Sequence, residues 1–297
     1  MSLADPLDFS IIVPTRDRPS QLPACLEAIA GLDYPRSGFE VIVVDDGSET
    51  SVEQALSPFR DLLNLTVLTQ SGAGPASARN AGAARARGRF LAFLDDDCAP
   101  SPEWLQRLEA RFRSGPNRII GGRTVNALSD NPYSTASQVL IHYLYEYYNR
   151  DAEDARFLAS NNLAFVASDF QAADGFDSAY PRAAAEDRDL CERLRSSGHR
   201  MTYAPDAVVY HAHVLTFRTF CRQHFNYGRG ATRFRAAYAR RSRQSVKLEP
   251  FSFYTELLRY PFAQGMGWQA PLLSALLLVS QGANALGYFR EYASRWG

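Results

Sequence analysis

The sequence predicts an α/β fold, a mostly parallel sheet flanked by helices, followed by a helical, partly apolar C-terminal extension. Three observations carry that prediction. Short apolar runs recur at 9–13, 39–44, 65–68 and 89–94, each bounded by polar or Gly/Pro-containing segments. Helical patterns fall between them, the alternation of a right-handed parallel sheet. The chain of 297 residues is 46% hydrophobic, enough for one large domain or two.

The first strand, 9–13, is stopped by Pro14, and Thr15-Arg16-Asp17-Arg18 forms the loop beyond it. Residues 19–30 read as a helix, with Pro19 near its start and Leu22, Cys25, Leu26 and Ile29 as an apolar stripe; Gly31 ends it. The second strand, 39–44, runs into Asp45-Asp46-Gly47-Ser48, and a helix over 51–59 leads to the third strand, 65–68. The loop Gly72-Ala73-Gly74-Pro75 precedes an Ala- and Arg-rich helix over 76–87, and the fourth strand empties into Asp95-Asp96-Asp97. Farther on, 200–204 and 207–210 read as strands, the second ending in His211-Ala212-His213.

In such sheets ligands collect at the carboxyl ends of the strands, which gathers the three polar loops on one rim. If the extended geometry persists, Asp95 and Asp97 point to one side and Asp96 to the other. Two oxygen ligands on one face suit a divalent cation such as Mg2+ or Mn2+, which in turn binds phosphate oxygens. The alternative is a solvated acidic turn or a helix N-cap before Pro100. Arg79 arrives from the helix before the fourth strand. Carboxylates, a cation and an arginine make a nucleoside diphosphate site, with Asp46 accepting from a base or ribose and Arg79 on a phosphate or base edge. Taken singly, Asp46 also reads as an Asx-turn residue and Arg79 as a solvated helix arginine.

Formal net charge is zero, but the charge is unevenly spread. No acidic residue lies between Asp206 and Glu249, whereas Arg218, Arg222, Arg229, Arg233, Arg235, Arg240, Arg241, Arg243 and Lys247 do. Four scattered cysteines without a CxxC indicate neither zinc nor a disulfide frame, and the N-terminal stretch has no basic and apolar signal pattern. A reduced, cytoplasmic setting is the expectation.

As an ordered set, VPTRDRP, VVDDGS and GPASARNAGAARARGRFLAFLDDDC resemble the nucleotide-binding half of the family 2 glycosyltransferases, whose GT-A fold is a Rossmann-like sheet flanked by helices. Asn161-Asn162-Leu163-Ala164-Phe165 is similar to the family's acceptor-side strand, Asp174-Gly175-Phe176-Asp177 to its GGFD turn, and Ala185 to Leu190 to its ED-containing helix. The resemblance covers about 9–230. It implies transfer of a sugar from a nucleoside diphosphate donor to a hydroxyl with inversion, with UDP the habitual nucleotide and GDP or dTDP open. Carried over by position, Asp46 meets the base, and Pro14, Thr15 and Arg16 line the nucleoside pocket. Asp95 and Asp96 lie at the ribose and diphosphate, Asp97 on the metal, and Asn162 on the substrate. Metal-dependent members carry a histidine about this far beyond the ED helix, which implies His211 as a further ligand with His213 as substitute. Histidines at i and i+2 face one way on an extended chain.

A direct displacement needs a base on the acceptor hydroxyl and, opposite it, something to hold the leaving diphosphate; two separated carboxylate clusters supply both. Asp187 is the expected base and Glu186 the group orienting the acceptor, although acids in a first helical turn also complement the helix dipole. The segment Arg222-Gln223-His224-Phe225-Asn226-Tyr227-Gly228 stands where processive members carry QxxRW, which is missing, so one sugar per encounter is expected.

The domain plan is a catalytic unit, 1–215, with a nucleotide half (1–125) and an acceptor half (126–215), then a basic, aromatic helical region (216–297). The run 270–287 contains Ser274, Ser280, Gln281 and Asn284, and its uninterrupted apolar core is shorter than the ~20 residues of a spanning helix. It is expected to be buried, to pack in a homodimer, or to lie in a membrane interface. Arginines beside aromatics fit peripheral contact with anionic lipid. The partners expected are a nucleotide-sugar donor, a glycan or lipid-linked acceptor and the inner face of the cell membrane, with no nucleic-acid motif. The competing classes are a nucleotidyltransferase, against which the loop after the first strand lacks a Gly-rich phosphate cradle, and a non-catalytic scaffold of the same fold.

Overall fold

A computed structural model describes residues 7–115, 117–180, 184–243 and 249–296. In chain order come β1 (Phe9–Thr15), α1 (Leu22–Ala30), β2 (Phe39–Asp45), α2 (Glu53–Leu56), β3 (Leu65–Thr69), α3 (Pro75–Arg85), β4 (Phe90–Leu94), β5 (Cys98–Pro100) and α4 (Trp104–Arg113). The second half supplies β6 (Arg118–Asn126), α5 (Pro132–Tyr148), β7 (Asn162–Val166), α6 (Ala167–Ala172), α7 (Glu186–Ser196) and β8 (Arg200–His211). Three helices follow: α8 (Phe217–Ser242), α9 (Phe251–Ala263) and α10 (Ala270–Trp296).

The first four long strands form as the apolar runs require. Each residue of β2 and β4 is buried, because helices cover both faces. One sheet runs in the order β3-β2-β1-β4-β7-β6-β8-β5. β1, β2, β3 and β4 pair in parallel, as do β6 and β8; β7 is antiparallel to β4 and β6, and β5 to β8. The parallel half was legible in the sequence; the reversal at β7 is what turns the sheet into a mixed one.

Three local departures have physical causes. The helix expected over 51–59 is a four-residue α2 followed by a 3-10 turn at Ser57–Phe59, since Pro58 has no amide hydrogen to continue the α-helical bonding. The two strands expected over 200–210 are the single strand β8. Pro205 and Asp206 fall at a register shift opposite Gly122/Arg123, a bulge rather than a loop. The boundary expected after residue 125 falls inside β6.

One apolar layer packs α1 and α4 on one sheet face, and another packs α7 and the segment around Phe170 and Phe176 on the other. A third cluster joins α5 to α8, α9 and α10 through Tyr143, Phe220, Leu257 and Leu277. The C-terminal helices therefore share a core with α5 of the acceptor half.

The basic stretch is partly internal, contrary to a wholly solvated face. Arg229 and Arg233 hold the buried Glu291 at 2.8 and 2.7 Å, and Arg241 holds the buried Asp189 at 2.7 Å. The apolar run expected to stop at Gly287 continues as a helix to Trp296. By length and composition alone, Gly267–Ser294 could cross a membrane, with a mean hydropathy of 1.4. Only 28% of that apolar window is buried, so α10 is not a core helix. Leu272, Val279, Leu286 and Phe289 line its open face at heptad-like spacing, with Trp268 85% exposed at its start.

Candidate active site

The carboxyl ends of β1, β2 and β4 open on one rim, and a cavity of about 710 Å³ runs from there to the start of α7 and the inner faces of α8 and α10. Asp95, Asp97, His211, Glu186 and Asp187 all line it. The two acidic clusters expected from sequence thus share one space.

On the first wall the chain leaves β4 and turns. Asp95 and Asp97 face the cavity, while Asp96 points back into β1, where it accepts from Thr15 Oγ1 at 2.7 Å. The strict alternation expected of an extended triplet does not hold, because the chain turns at Asp96 and Asp97. Arg18 bridges Asp96 and Asp97 through one nitrogen, at 2.9 and 2.6 Å. Burial raises the Asp96 carboxyl to about 6 despite the Arg18 charge. Burial also acts to raise Asp97, but the close approach and charge of His211, with Arg18, win and hold it well below the usual carboxylate range.

His211 reaches Asp97 because β5 and β8 pair antiparallel with Cys98 opposite His211, and the Ala212 amide donates to the Asp97 carbonyl at 2.8 Å. The imidazole Nε2 lies 3.1 Å from Asp97 Oδ1, an oxygen that is buried and has no well-aligned hydrogen bond. Burial alone favours neutral imidazole; Asp97 outweighs it and raises His211. His213, its ring centroid 5.1 Å away and tilted 32° to that of His211, is lowered to about 4 by burial and the His211 charge. Asp97, Cys98 and His211 bring one ligand atom each within 4.8 Å of one another. A carboxylate oxygen aimed at an imidazole without an aligned proton between them is a donor set that fits a divalent cation. Burial and Asp95 push the Cys98 thiol well up, so oxygen and imidazole are the better ligands of a hard ion.

Opposite stands α7. Its N-cap Ala185 has φ 70°, the left-handed region, which for alanine is strained and turns the chain so that Glu186 Oε2 receives the Ala184 amide at 2.6 Å. Glu186 is buried, whereas Asp187 is partly exposed to the cavity and accepts from the Ser160 and Arg188 amides at 3.1 and 2.7 Å. Burial raises both carboxyls, aided at Glu186 by the Asp187 charge and opposed at Asp187 by those amides.

Arg79 is not the free phosphate arginine expected. It is 2% exposed and spans the two walls, 2.7 Å from Asp95 Oδ1 and 3.0 Å from Glu186 Oε1, with its guanidinium 5.6 Å from the centre of the Phe176 ring. The reason is packing: α3 lies flat on the sheet and directs Arg79 inward between the carboxylates. Asn162 is likewise corrected. It is fully buried, accepts from Trp104 Nε1 at 2.9 Å and donates to the Ala207 and Arg123 carbonyls, so its side chain ties the sheet together, and its neighbour Asn161 faces the cavity.

At the end of β2, Asp46 accepts from Gln70 Nε2 and the Ala73 and Gly74 amides at 2.6, 2.7 and 2.9 Å. It shapes the 72–74 loop, while the Asx turn belongs to Asp45, which accepts from Ser48. Arg16 stays exposed, 4.0 Å from Asp46, and Pro14 precedes it within β1. Arg18 was missed by sequence reasoning, although a second arginine in VPTRDRP on an acidic rim was a readable signal. Gln223, Asn226, Tyr227, Gln281 and Asn284 also line the cavity and carried no motif.

Comparison with known proteins followed. The family model described as Glycosyl transferase family 2 matches residues 10–173. The chain is 30% identical over 235 residues to a pre-mycofactocin glycosyltransferase of Mycobacterium tuberculosis, covering 75% of this chain but about half, 47%, of that relative. It is 26% identical over 227 residues to glycosyltransferase AglE of Haloferax volcanii, covering 74% and 72% of the two chains. Among solved structures, the mannosyltransferase PcManGT of Pyrobaculum calidifontis, in complex with GDP-Man and Mn2+, superposes with a TM-score of 0.63 at 19% identity, over 98% of this chain and 81% of that one. S. aureus TarS 1-349 in complex with UDP gives 0.58 at 20% identity, over 98% and 92%. These structural likenesses show the GT-A fold.

Proposed function

The chain belongs to glycosyl transferase family 2, and on that premise we propose that it moves a sugar from a nucleoside diphosphate donor, UDP-linked in the first instance, to a hydroxyl acceptor with inversion. One observation carries the reading: Asp97 with His211, and Asp187, face each other across a single cavity. The bond from the acceptor oxygen to the anomeric carbon forms as the bond to the diphosphate breaks. The hydroxyl proton passes to Asp187, and the electron pair leaves on the diphosphate.

Asp187 is the base because it is the carboxylate of the pair that is open to the cavity, with two amide donors fixing its orientation. Glu186, locked to Arg79, is the orienting partner. Asp97 and His211 hold Mg2+ or Mn2+, which when bound neutralises charge developing on the leaving group. Asp95 and Asp96 shape the diphosphate and ribose region, and Thr15, Arg16 and Asp46 the nucleoside end. Nucleotide sugars named with the neighbouring structures, UDP-GlcNAc and GDP-Man, are the donors to try first. The open face of α10 supports an acceptor met at the inner face of a membrane.

The test is release of nucleoside diphosphate from sugar nucleotides with and without Mn2+. Metal-dependent release that Asp187→Asn lowers by 10²–10⁴-fold, about 3–5 kcal/mol, with UDP binding retained, supports the reading. Release of pyrophosphate from a nucleoside triphosphate supplied with a sugar 1-phosphate assigns a nucleotidyltransferase instead, and neither product assigns a scaffold.

A further inference from the structure

Helices α8 and α10 touch backbone to backbone. A Cβ at Gly228 would collide with the Asn284 carbonyl, and one at Gly287 with the Phe225 carbonyl. That crossing brings Gln281 and Asn284 of α10 alongside Gln223, Asn226 and Tyr227 of α8, all of them on the cavity wall. Their polar groups are poorly satisfied by the protein. Gln223 donates to the Tyr227 hydroxyl at 2.7 Å, which leaves its Oε1 buried without a partner. Among the described residues, the side chains of Asn226 and Asn284 have no hydrogen-bond partner. A buried carboxamide oxygen is nearly always paired, so Gln223 Oε1, set beside the half-buried Asn226, Gln281 and Asn284 on the cavity wall, points to a polar occupant.

Resting on the transferase reading, we infer that this wall is an acceptor subsite for a neutral, hydroxyl-rich molecule, a saccharide or polyol. Each carboxamide offers a donor and an acceptor side by side, the complement of two neighbouring hydroxyls. Glu186 and Asp187 border the same space and repel an anionic acceptor, and Arg79 and Arg18 are committed to carboxylates; of the other two arginines on the cavity wall, Arg188 lies over the Phe234 ring and Arg222 is exposed to solvent. The four carboxamides and Tyr227 would hold the acceptor while Asp187 takes its proton.

The test is saturation-transfer NMR on the full chain with UDP and Mg2+, using methyl glycosides of neutral hexoses and the matched methyl uronides as probes. A UDP-dependent thermal shift shows that each variant is folded and that its donor half is intact. Neutral glycosides are expected to bind, with affinity reduced about tenfold in Asn226→Ala and in Asn284→Ala, and uronides to bind more weakly than their neutral partners. Neutral binding unmoved in both variants, tighter binding of the uronides, or no saccharide signal from a wild type that binds UDP overturns the inference. A wild type without a UDP shift overturns the transferase reading itself.

Discussion

Arg79→Met tests the strut between the two walls. Methionine keeps much of the buried volume and removes the charge that faces Asp95 and Glu186 at 2.7 and 3.0 Å. Removing one partner of a buried ion pair costs roughly 3–5 kcal/mol. Asp95 is 30% exposed at its side chain and is screened, so the Glu186 half dominates and the lower end, about 3 kcal/mol, applies. At roughly 2–4 °C per kcal/mol for a chain of this size, the apparent Tm drops by about 6–12 °C near pH 8. The pH dependence follows from sign. Burial already raises Glu186 above its unfolded value, and losing the cation raises it further. A carboxyl raised in the folded state stabilises the protonated fold, so stability is lost as pH rises through the folded pKa. The Tm deficit of the variant must therefore be small near pH 5 and grow towards pH 8. Differential scanning fluorimetry between those limits reads it directly, with Arg79→Lys falling between variant and wild type. A deficit that is flat with pH, or that shrinks as pH rises, refutes the strut.

Three further outcomes follow. His211→Ala should weaken Mn2+ binding, measured by electron paramagnetic resonance of the free ion, by at least ~10-fold, since even groups that only support a ligand are worth that much; a loss confined to His213→Ala would transfer the ligand role to His213. Asn162→Ala should destabilise the fold by about 3 kcal/mol in urea, because it strands the Trp104 indole hydrogen and two buried carbonyls. Unchanged stability with a raised acceptor KM would restore the substrate role that the sequence implied. Flotation with anionic liposomes should carry the wild type and lose the double variant Leu286→Glu/Phe289→Glu, whereas concentration-dependent dimerisation broken by the same changes gives the α10 face to a second copy.

The parallel half of the sheet was legible because β1, β2 and β4 are uninterrupted apolar runs ending in acids, and the rim followed from their direction. The i, i+2 spacing marked His211 and His213 as a pair, and only the family resemblance singled out His211, which the structure sets 3.1 Å from Asp97. The second half was not legible. β6 carries Gly121 and Gly122, which weaken any strand pattern, yet Gly122 is required because a Cβ there would collide with the Ala207 carbonyl and the Asn162 side chain. The choice between Asn161 and Asn162 turns on a single residue of strand register, which reverses every side chain and which no local pattern fixes. Arg79 read as a phosphate or base ligand because the partners that fix it, Asp95 just past β4 and Glu186 at the start of α7, come together only in the fold.

The crossing at Gly228 and Gly287 leaves no slack along either helix axis. With only hydrogens between the two main chains, one helix cannot slide past the other by a fraction of a turn without steric conflict. Evolution or design can exchange the functional groups that Asn226, Tyr227, Gln281 and Asn284 present, but their spacing is indexed by the backbone. Altering what this cavity accepts is thus a matter of new side chains on fixed rungs, and an insertion in either helix disengages the index altogether.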